Sequence, residues 1–141
     1  MRHTRVTKDS GMFVRGTIEG QPLEWLVDTG CTCTIVAGGV FSNIPETERP
    51  KLEPYGGQLV SADGSSLHVL GVARVNVQFG EQQMRHDVLV ADVTNAGLIG
   101  TDFLRAHGMT LDFSTGSMTC AGEGVMTICR RGIERCCREA Y

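Results

Sequence analysis

Residues 72 to 79, VARVNVQF, alternate with a period of two: Ala73, Val75, Val77 and Phe79 fall on one side, Arg74, Asn76 and Gln78 on the other. A helix would spread these residues around its axis, whereas a strand lays them on two faces. Val72 is the exception, an apolar residue on the polar face. A turn at Gly80-Glu81 and a second run, MRHDVLVADV, make this a long hairpin. The same texture, short β-prone runs broken by turn residues, begins at Phe13 and predicts an all-β chain.

The other runs follow the same logic. FVRGTI and LEWLV flank Glu19-Gly20-Gln21-Pro22, which reads as a hairpin loop, and Cys33 to Val36 reads as a strand. The stretch AGGVFSNIPETERPKLEPYGG holds three of the four prolines and reads as loop, with a short helical turn near Gly39 to Ser42. QLVS and SLHVLG bracket Ala62-Asp63-Gly64-Ser65, where Asp-Gly is a strong hairpin signal because both residues tolerate positive φ. TDFLRAH is the single segment with a helix's start and stop signals, opened by Thr101 or Asp102 and closed by Gly108. MTLDF and SMTC form a last hairpin around Ser114-Thr115-Gly116. The expected organisation is a flexible segment at 1–11, one domain over 12–120 and a tail at 121–141. That tail admits a short helix, a dimer-contacting arm or a stub of a longer polypeptide.

Composition narrows the function classes. A net charge of -3 lacks the basic surplus expected of a nucleic-acid partner. No apolar run is long enough to span a bilayer, and MRHTRVTKDS lacks the apolar core of a signal peptide, so no membrane partner and an intracellular, cytoplasmic location are expected. The six cysteines, at 31, 33, 120, 129, 136 and 137, include no CxxC pair, and His107 is the last histidine. No metal and no cofactor are therefore expected. The rival reading assembles Cys31, Cys33, Cys136 and Cys137 into a metal or redox site.

The chemistry-bearing feature is Asp28 in the run LVDTGCTCTIV. Trp25, Leu26 and Val27 precede it and Ile35 and Val36 follow, so an acidic residue closes an apolar strand. Burying a carboxylate costs several kcal/mol unless it is hydrogen-bonded or matched. Thr29 and Gly30 supply a hydroxyl and an unobstructed backbone able to hold it. A plainer reading, in which Asp28 merely caps its own turn, stays open at this point. A second feature is LIGTDFL, residues 98 to 104, a short apolar strand ending in Gly100 and passing straight into the helix.

The order LVDTGC, then the Ala62-Asp63-Gly64 hairpin followed by VLG, then LIGTDFLRAHG and LDF, resembles the retropepsin-like aspartic proteases of retroviruses, gypsy-type retrotransposons and the DNA-damage-inducible cellular proteins. The resemblance covers Phe13 to Cys120 and implies a closed β-barrel-like fold with one short C-terminal helix, acting as a homodimer. It implies that Asp28 is the catalytic aspartate, that Thr29 braces the two active-site loops across the dimer axis, and that Gly30 offers its carbonyl to substrate. It makes Ala62, Asp63, Gly64 and Ser65 the tip of a flap, and Gly100 a support packed beneath the active-site loop. Cys31 stands where the family has Ala or Ser. Viral members pair an Asp with an Arg where this chain has Thr32 and Thr101, so both charges are missing together.

Aspartic proteases as a class use two carboxylates that share one proton around a water, one as general base and one as acid. This chain has one Asp-Thr-Gly, and neither Asp63 nor Asp102 sits in a like context. The second carboxylate is therefore expected from a second copy, and the substrate is expected to be an extended peptide or polyprotein segment. A silent dimerisation or peptide-binding module is the alternative that keeps the fold. His68, His86 and His107 fall on separate elements and carry no catalytic expectation, Trp25 reads as core, and Arg130, Arg131 and Arg135 read as a solvated face.

Overall fold

The computed structural model of the chain describes residues 12–61, 63–120, 123–127 and 129–130. The segment expected to be flexible, 1–11, and the final stretch 131–141 lie outside the described residues. Strand β1 (Met12–Ile18) turns into β2 (Gln21–Val27), and after the Asp28 loop come β3 (Ile35–Ala37) and helix α1 (Gly38–Asn43). A small hairpin, β4 (Leu59–Val60) with β5 (Ser66–Leu67), precedes the long one, β6 (Val69–Phe79) with β7 (Gln82–Ala91). Then follow β8 (Gly97–Ile99), α2 (Thr101–Ala106), β9 (Met109–Asp112), β10 (Ser117–Cys120), β11 (Glu123–Thr127) and β12 (Cys129–Arg130).

Six strands close into a barrel in the order β1-β2-β8-β3-β7-β6, with β6 returning to β1 through Thr17–Gln78 and Ile18–Val77. Closure leaves few free strand edges, and β12 covers part of β1 at Met12 and Phe13. The all-β class stands, with two short helices rather than one among the described residues, because the helical turn near Gly39 to Ser42 completes six residues in α1. Of the stretch after Cys120, residues 123–127 and 129–130 are strand: β11 pairs with β10, which pairs in turn with β9, and β12 pairs with β1.

The period-two run behaves as the pleat requires. Ala73, Val75, Val77 and Phe79 are at most 1% exposed, while Arg74 and Asn76 face outward. Val72 lies half-buried on the outer face because Glu53 bridges to it, each backbone N–H donating to the other's carbonyl at 2.7 and 2.8 Å. Trp25, Phe79 and Phe103 meet edge to face at 6.2 and 6.0 Å between centroids and fill the main core. A second cluster of Ile35, Leu59, Leu89 and Ala91 lies apart from it.

Three local readings change. The first hairpin turns on two residues, with Glu19 at φ 48° and Gly20 at φ 82°, so Gln21 and Pro22 belong to β2. Positive φ costs a glutamate energy. It is offset where the Glu19 carboxylate accepts the Asn76 backbone N–H at 2.8 Å and the Glu19 N–H donates to the Asn76 carbonyl at 2.9 Å. Strand β3 starts at Ile35 rather than Cys33, since the Cys33 carbonyl accepts the Cys31 thiol instead of joining a ladder. At Asp63-Gly64 only Gly64 has positive φ, +90°; its N–H closes the turn onto the Ser61 carbonyl at 3.0 Å.

Trp25 Nε1 is buried without a hydrogen-bond partner among the described residues. Trp25→Ala is expected to cost about 3–5 kcal/mol through the cavity it leaves. Trp25→Phe should cost no more than about 2 kcal/mol, since it also removes an unpaired buried donor. Denaturant midpoints of the two variants test this; equal losses would show that the indole N–H, not ring volume, holds the site.

Candidate active site

The placement of Asp28 follows from strand direction. β2 and β8 run parallel in the register Trp25–Gly97, Leu26–Leu98, Val27–Ile99. The next residues along, Asp28 and Gly100, are thereby set side by side at the same ends of the two strands. Hydrogen bonding continues past the strands: Asp28 N–H donates to the Ile99 carbonyl at 2.9 Å, and Thr101 N–H donates to the Cys31 carbonyl at 2.9 Å. Residues 28 to 31 form a turn closed by Cys31 N–H on the Asp28 carbonyl at 3.1 Å. Within it Asp28 Oδ1 accepts the Gly30 N–H at 3.1 Å, while Oδ2 accepts no hydrogen bond from the described residues.

Asp28, Gly30, Cys31 and Thr32 line a cleft of about 620 Å³ whose far wall is Tyr55 and the β4 strand. Thr29 is exposed beside this cleft. Asp63, Gly64 and Ser65 lie at the tip of the β4–β5 hairpin, exposed, and do not line the cleft of the single chain; Ala62 lies outside the described residues. Asp63 organises that tip. Its Oδ1 accepts Ser61 Oγ–H, Ser65 N–H and Ser65 Oγ–H, and these bonds hold its carboxyl down at about 2.

Beneath the loop there is no room for a side chain at Gly100: a Cβ there would lie 2.7 Å from the carbonyl oxygens of both Cys31 and Cys33. The Thr34 hydroxyl, 1% exposed, accepts the Gly100 N–H at 3.1 Å and donates to Asp102 Oδ1 at 2.7 Å. Asp102 therefore does not cap α2 with its side chain. The N-cap is Gly100, and the Asp102 carboxylate reaches back to the loop, where Oδ2 also accepts the Thr34 N–H at 3.3 Å. Where the resemblance implied an acid–base pair in viral members, this chain joins loop and helix through Thr34, Asp102 and the Thr101 backbone.

Sequence reasoning passed over His86 and His107. The fold brings them to Asp102: His86 Nε2 lies 3.0 Å from Asp102 Oδ2, and His86 Nδ1 lies 3.1 Å from His107 Nε2. Burial works against the ionised Asp102 carboxyl, but hydrogen bonds from His86 and Thr34 outweigh it and hold it below the ordinary carboxylate range. No sequence pattern signalled this grouping, since His86, Asp102 and His107 meet only through the pairing of distant elements.

Burial pushes the Cys31 thiol up; its hydrogen bond to the Cys33 carbonyl opposes the rise and the Asp28 charge adds to it. Among the described residues no three His, Cys, Asp or Glu side chains are grouped to hold a metal ion, and Cys136 and Cys137 lie outside those residues. Among them, too, no helix is long and apolar enough to cross a membrane.

A closed β-barrel with an Asp-Thr-Gly turn at the paired ends of two parallel strands defines a retropepsin-like fold, and solved structures agree. The retroviral protease-like domain of Ddi1 from Leishmania major superposes with a TM-score of 0.69 at 17% identity, covering 86% of this chain and 96% of that one. EIAV protease complexed with the inhibitor HBY-793 superposes with a TM-score of 0.63 at 18% identity, covering 78% of this chain and all of that one. The aspartyl protease family profile matches residues 14–103, and the chain belongs to that family.

Gly100→Ala is expected to lower stability by about 2 kcal/mol or more, because both obstructing atoms are backbone. Gly39→Ala, on α1 with open space at its Cβ, should leave stability unchanged or raise it by up to about 1 kcal/mol. Thermal melts of the pair check the contrast. The Cys31 thiol should alkylate more slowly near neutral pH than an unfolded-chain thiol, measured by mass spectrometry of the native protein against the denatured one.

Proposed function

We propose that the protein is an aspartic endopeptidase that works as a homodimer, with the Asp28 carboxylates of two copies meeting at one site. The observation that carries this reading is the seat of Asp28. It lines the cleft, is oriented through Oδ1 by the Gly30 N–H and keeps Oδ2 without a donor among the described residues. Such a carboxylate is held in one plane yet has a free oxygen for a water or a second carboxyl.

In this reading one Asp28 takes a proton from the bridging water as it attacks the scissile carbonyl. The other donates its proton to the carbonyl oxygen. Two like charges a few ångströms apart resist joint ionisation, so the pair titrates in two steps and the rate follows a bell-shaped pH profile. Thr29, exposed beside the cleft, is assigned the contact that braces the two loops across the axis. Cys31 and Thr32 complete the loop, and the Gly30 carbonyl meets the backbone of the substrate. That substrate is an extended peptide, from a retroelement polyprotein or a cellular protein, lying under the Ala62, Asp63, Gly64 and Ser65 hairpin tips. The neutral Cys31 thiol suits this role, since it adds no further charge beside the pair.

The Gly30-to-Asp28 bond is also what a turn-capping aspartate makes, and it favours one second reading, a silent peptide-binding or dimerisation module. Asp28→Asn separates the two, because it keeps the acceptor oxygen and removes the ionisable group. Assayed on a mixed peptide library between mildly acidic and neutral pH, cleavage should fall at least about a thousandfold in the variant. Undiminished cleavage, or none from a well-folded wild-type dimer, would defeat the enzymatic reading. Light scattering that shows a monomer at active concentrations would defeat the dimer.

A further inference from the structure

His86 and His107 face each other nitrogen to nitrogen at 3.1 Å, and that geometry allows only some protonation states. The ionised Asp102 carboxylate can only accept, so His86 Nε2, 3.0 Å away, carries a proton. With His86 neutral, its Nδ1 is an acceptor and His107 Nε2–H donates to it. With one added proton on either ring, a single N–H still bridges the pair. With both rings cationic, two N–H groups confront each other across the same 3.1 Å and the bridge cannot form.

The contact is also partly buried. Both rings lie against Phe103, with centroids 4.9 and 4.5 Å away. From β7 the network meets His86, from α2 Asp102, from the C-cap of α2 His107, and from the active-site loop Thr34. From β10 it meets the Cys120 thiol, which donates to the His107 carbonyl at 3.3 Å. The nearby charged residues Arg85, Asp87 and Arg105 are exposed, and Arg74 pairs with Asp87 at 3.0 Å.

We propose that Asp102, His86 and His107 form a strut that positions the active-site loop through Thr34 and that tolerates one added proton but not two. The strut runs from β7 through Asp102 to the Thr34 hydroxyl, which holds the Gly100 N–H beneath the Asp28 turn. A second proton drives the two rings apart, releases α2 from β7 and loosens the seat of Thr34. His86 and His107 are thus positioning residues; neither touches the cleft. The consequence for catalysis rests on the reading of Asp28 as the catalytic group, while the strut itself does not.

The sign of the pH dependence follows. Burial pushes His107 below its ordinary 6.5, the neighbouring His86 adds to the fall, and Asp102 opposes it. Below 6.5 the unfolded or loosened chain takes up a proton that the closed strut refuses, so strut stability is full above that pH and is lost as pH falls through the folded value. Asp102, whose carboxyl is held down, adds a second loss at pH values below the ordinary 3.8.

The test uses the full chain and reads the loop without requiring catalysis. The Gly100 amide protection factor, corrected for intrinsic exchange, should fall by up to about tenfold per pH unit below 6.5, the slope of one linked proton. In His107→Gln, whose amide can donate or accept without charge, that slope should vanish. His86→Gln supplies the same test should the first variant fold poorly, and there the His107 titration seen by NMR should move up toward 6.5. On peptide substrate, the acid limb of kcat should shift to lower pH in His107→Gln with KM little changed. A wild-type Gly100 protection factor that is flat across this range, or a slope unchanged in the glutamine variants, would overturn the strut. A slope removed by His107→Gln with the acid limb of kcat unmoved would overturn its positioning role. Absence of cleavage in every form would count against the peptidase reading alone, with the strut still judged by Gly100.

Discussion

The structure depends on the parallel seam between β2 and β8. Parallel neighbours end at the same side of a sheet, so the loops that leave them must share one space. Here that space receives the Asp28 turn from β2 and Gly100 from β8, and backbone hydrogen bonds lock them on both sides of the strand ends. A glycine is obligatory at the crossing because carbonyls of Cys31 and Cys33 already occupy the volume a Cβ would need. Most other features of the site, from the Thr34 hydroxyl to the Asp102 carboxylate, brace this one crossing.

Bracing is needed because the strands that carry the site end in the large core at Val27 and Ile99, while the loop beyond them leaves it. Trp25, Phe79 and Phe103 anchor the barrel, whereas the cleft sits over the smaller cluster of Ile35, Leu59, Leu89 and Ala91. Small apolar clusters contribute little stabilisation by area alone, at roughly 25 cal/mol per Å² buried. Directional bonds therefore carry more of the load. Thr34 is the one buried polar side chain among the described residues, and its hydroxyl both accepts and donates, so it costs no unpaired group. The β4–β5 hairpin is held by two residue pairs, by backbone bonds from Ser61 N–H to the Ser65 carbonyl and from Gly64 N–H to the Ser61 carbonyl, and by the Ser61-Asp63-Ser65 side-chain bonds.

Several elements were legible because their cause is local. Alternation from Ala73 to Phe79 reports a pleat with one buried face, and Gly80, Gly108 and Gly116 mark turns that take positive φ. The elements misread were those shaped by distant partners. Glu19 enters a tight turn because Asn76, 57 residues on, receives it. Cys33 stays out of β3 because its carbonyl serves the Cys31 thiol, and Asp102 leaves the helix N-terminus for Thr34, 68 residues earlier. His86 and His107 gave no periodic or motif signal, since a pair of imidazoles is recognised only by the distance between them.

By itself the sequence determined the all-β class, the main hairpins and the segment containing Asp28, because side-chain periodicity, turn chemistry and motif order are properties of neighbouring residues. Tertiary structure alone decided that Asp28 and Gly100 are neighbours, that Val72 is covered by Glu53, and that Asp102 joins the loop to two histidines. Those are outcomes of strand direction and register, which bring together groups up to 72 residues apart, as Asp28 and Gly100 are, and which no local pattern encodes.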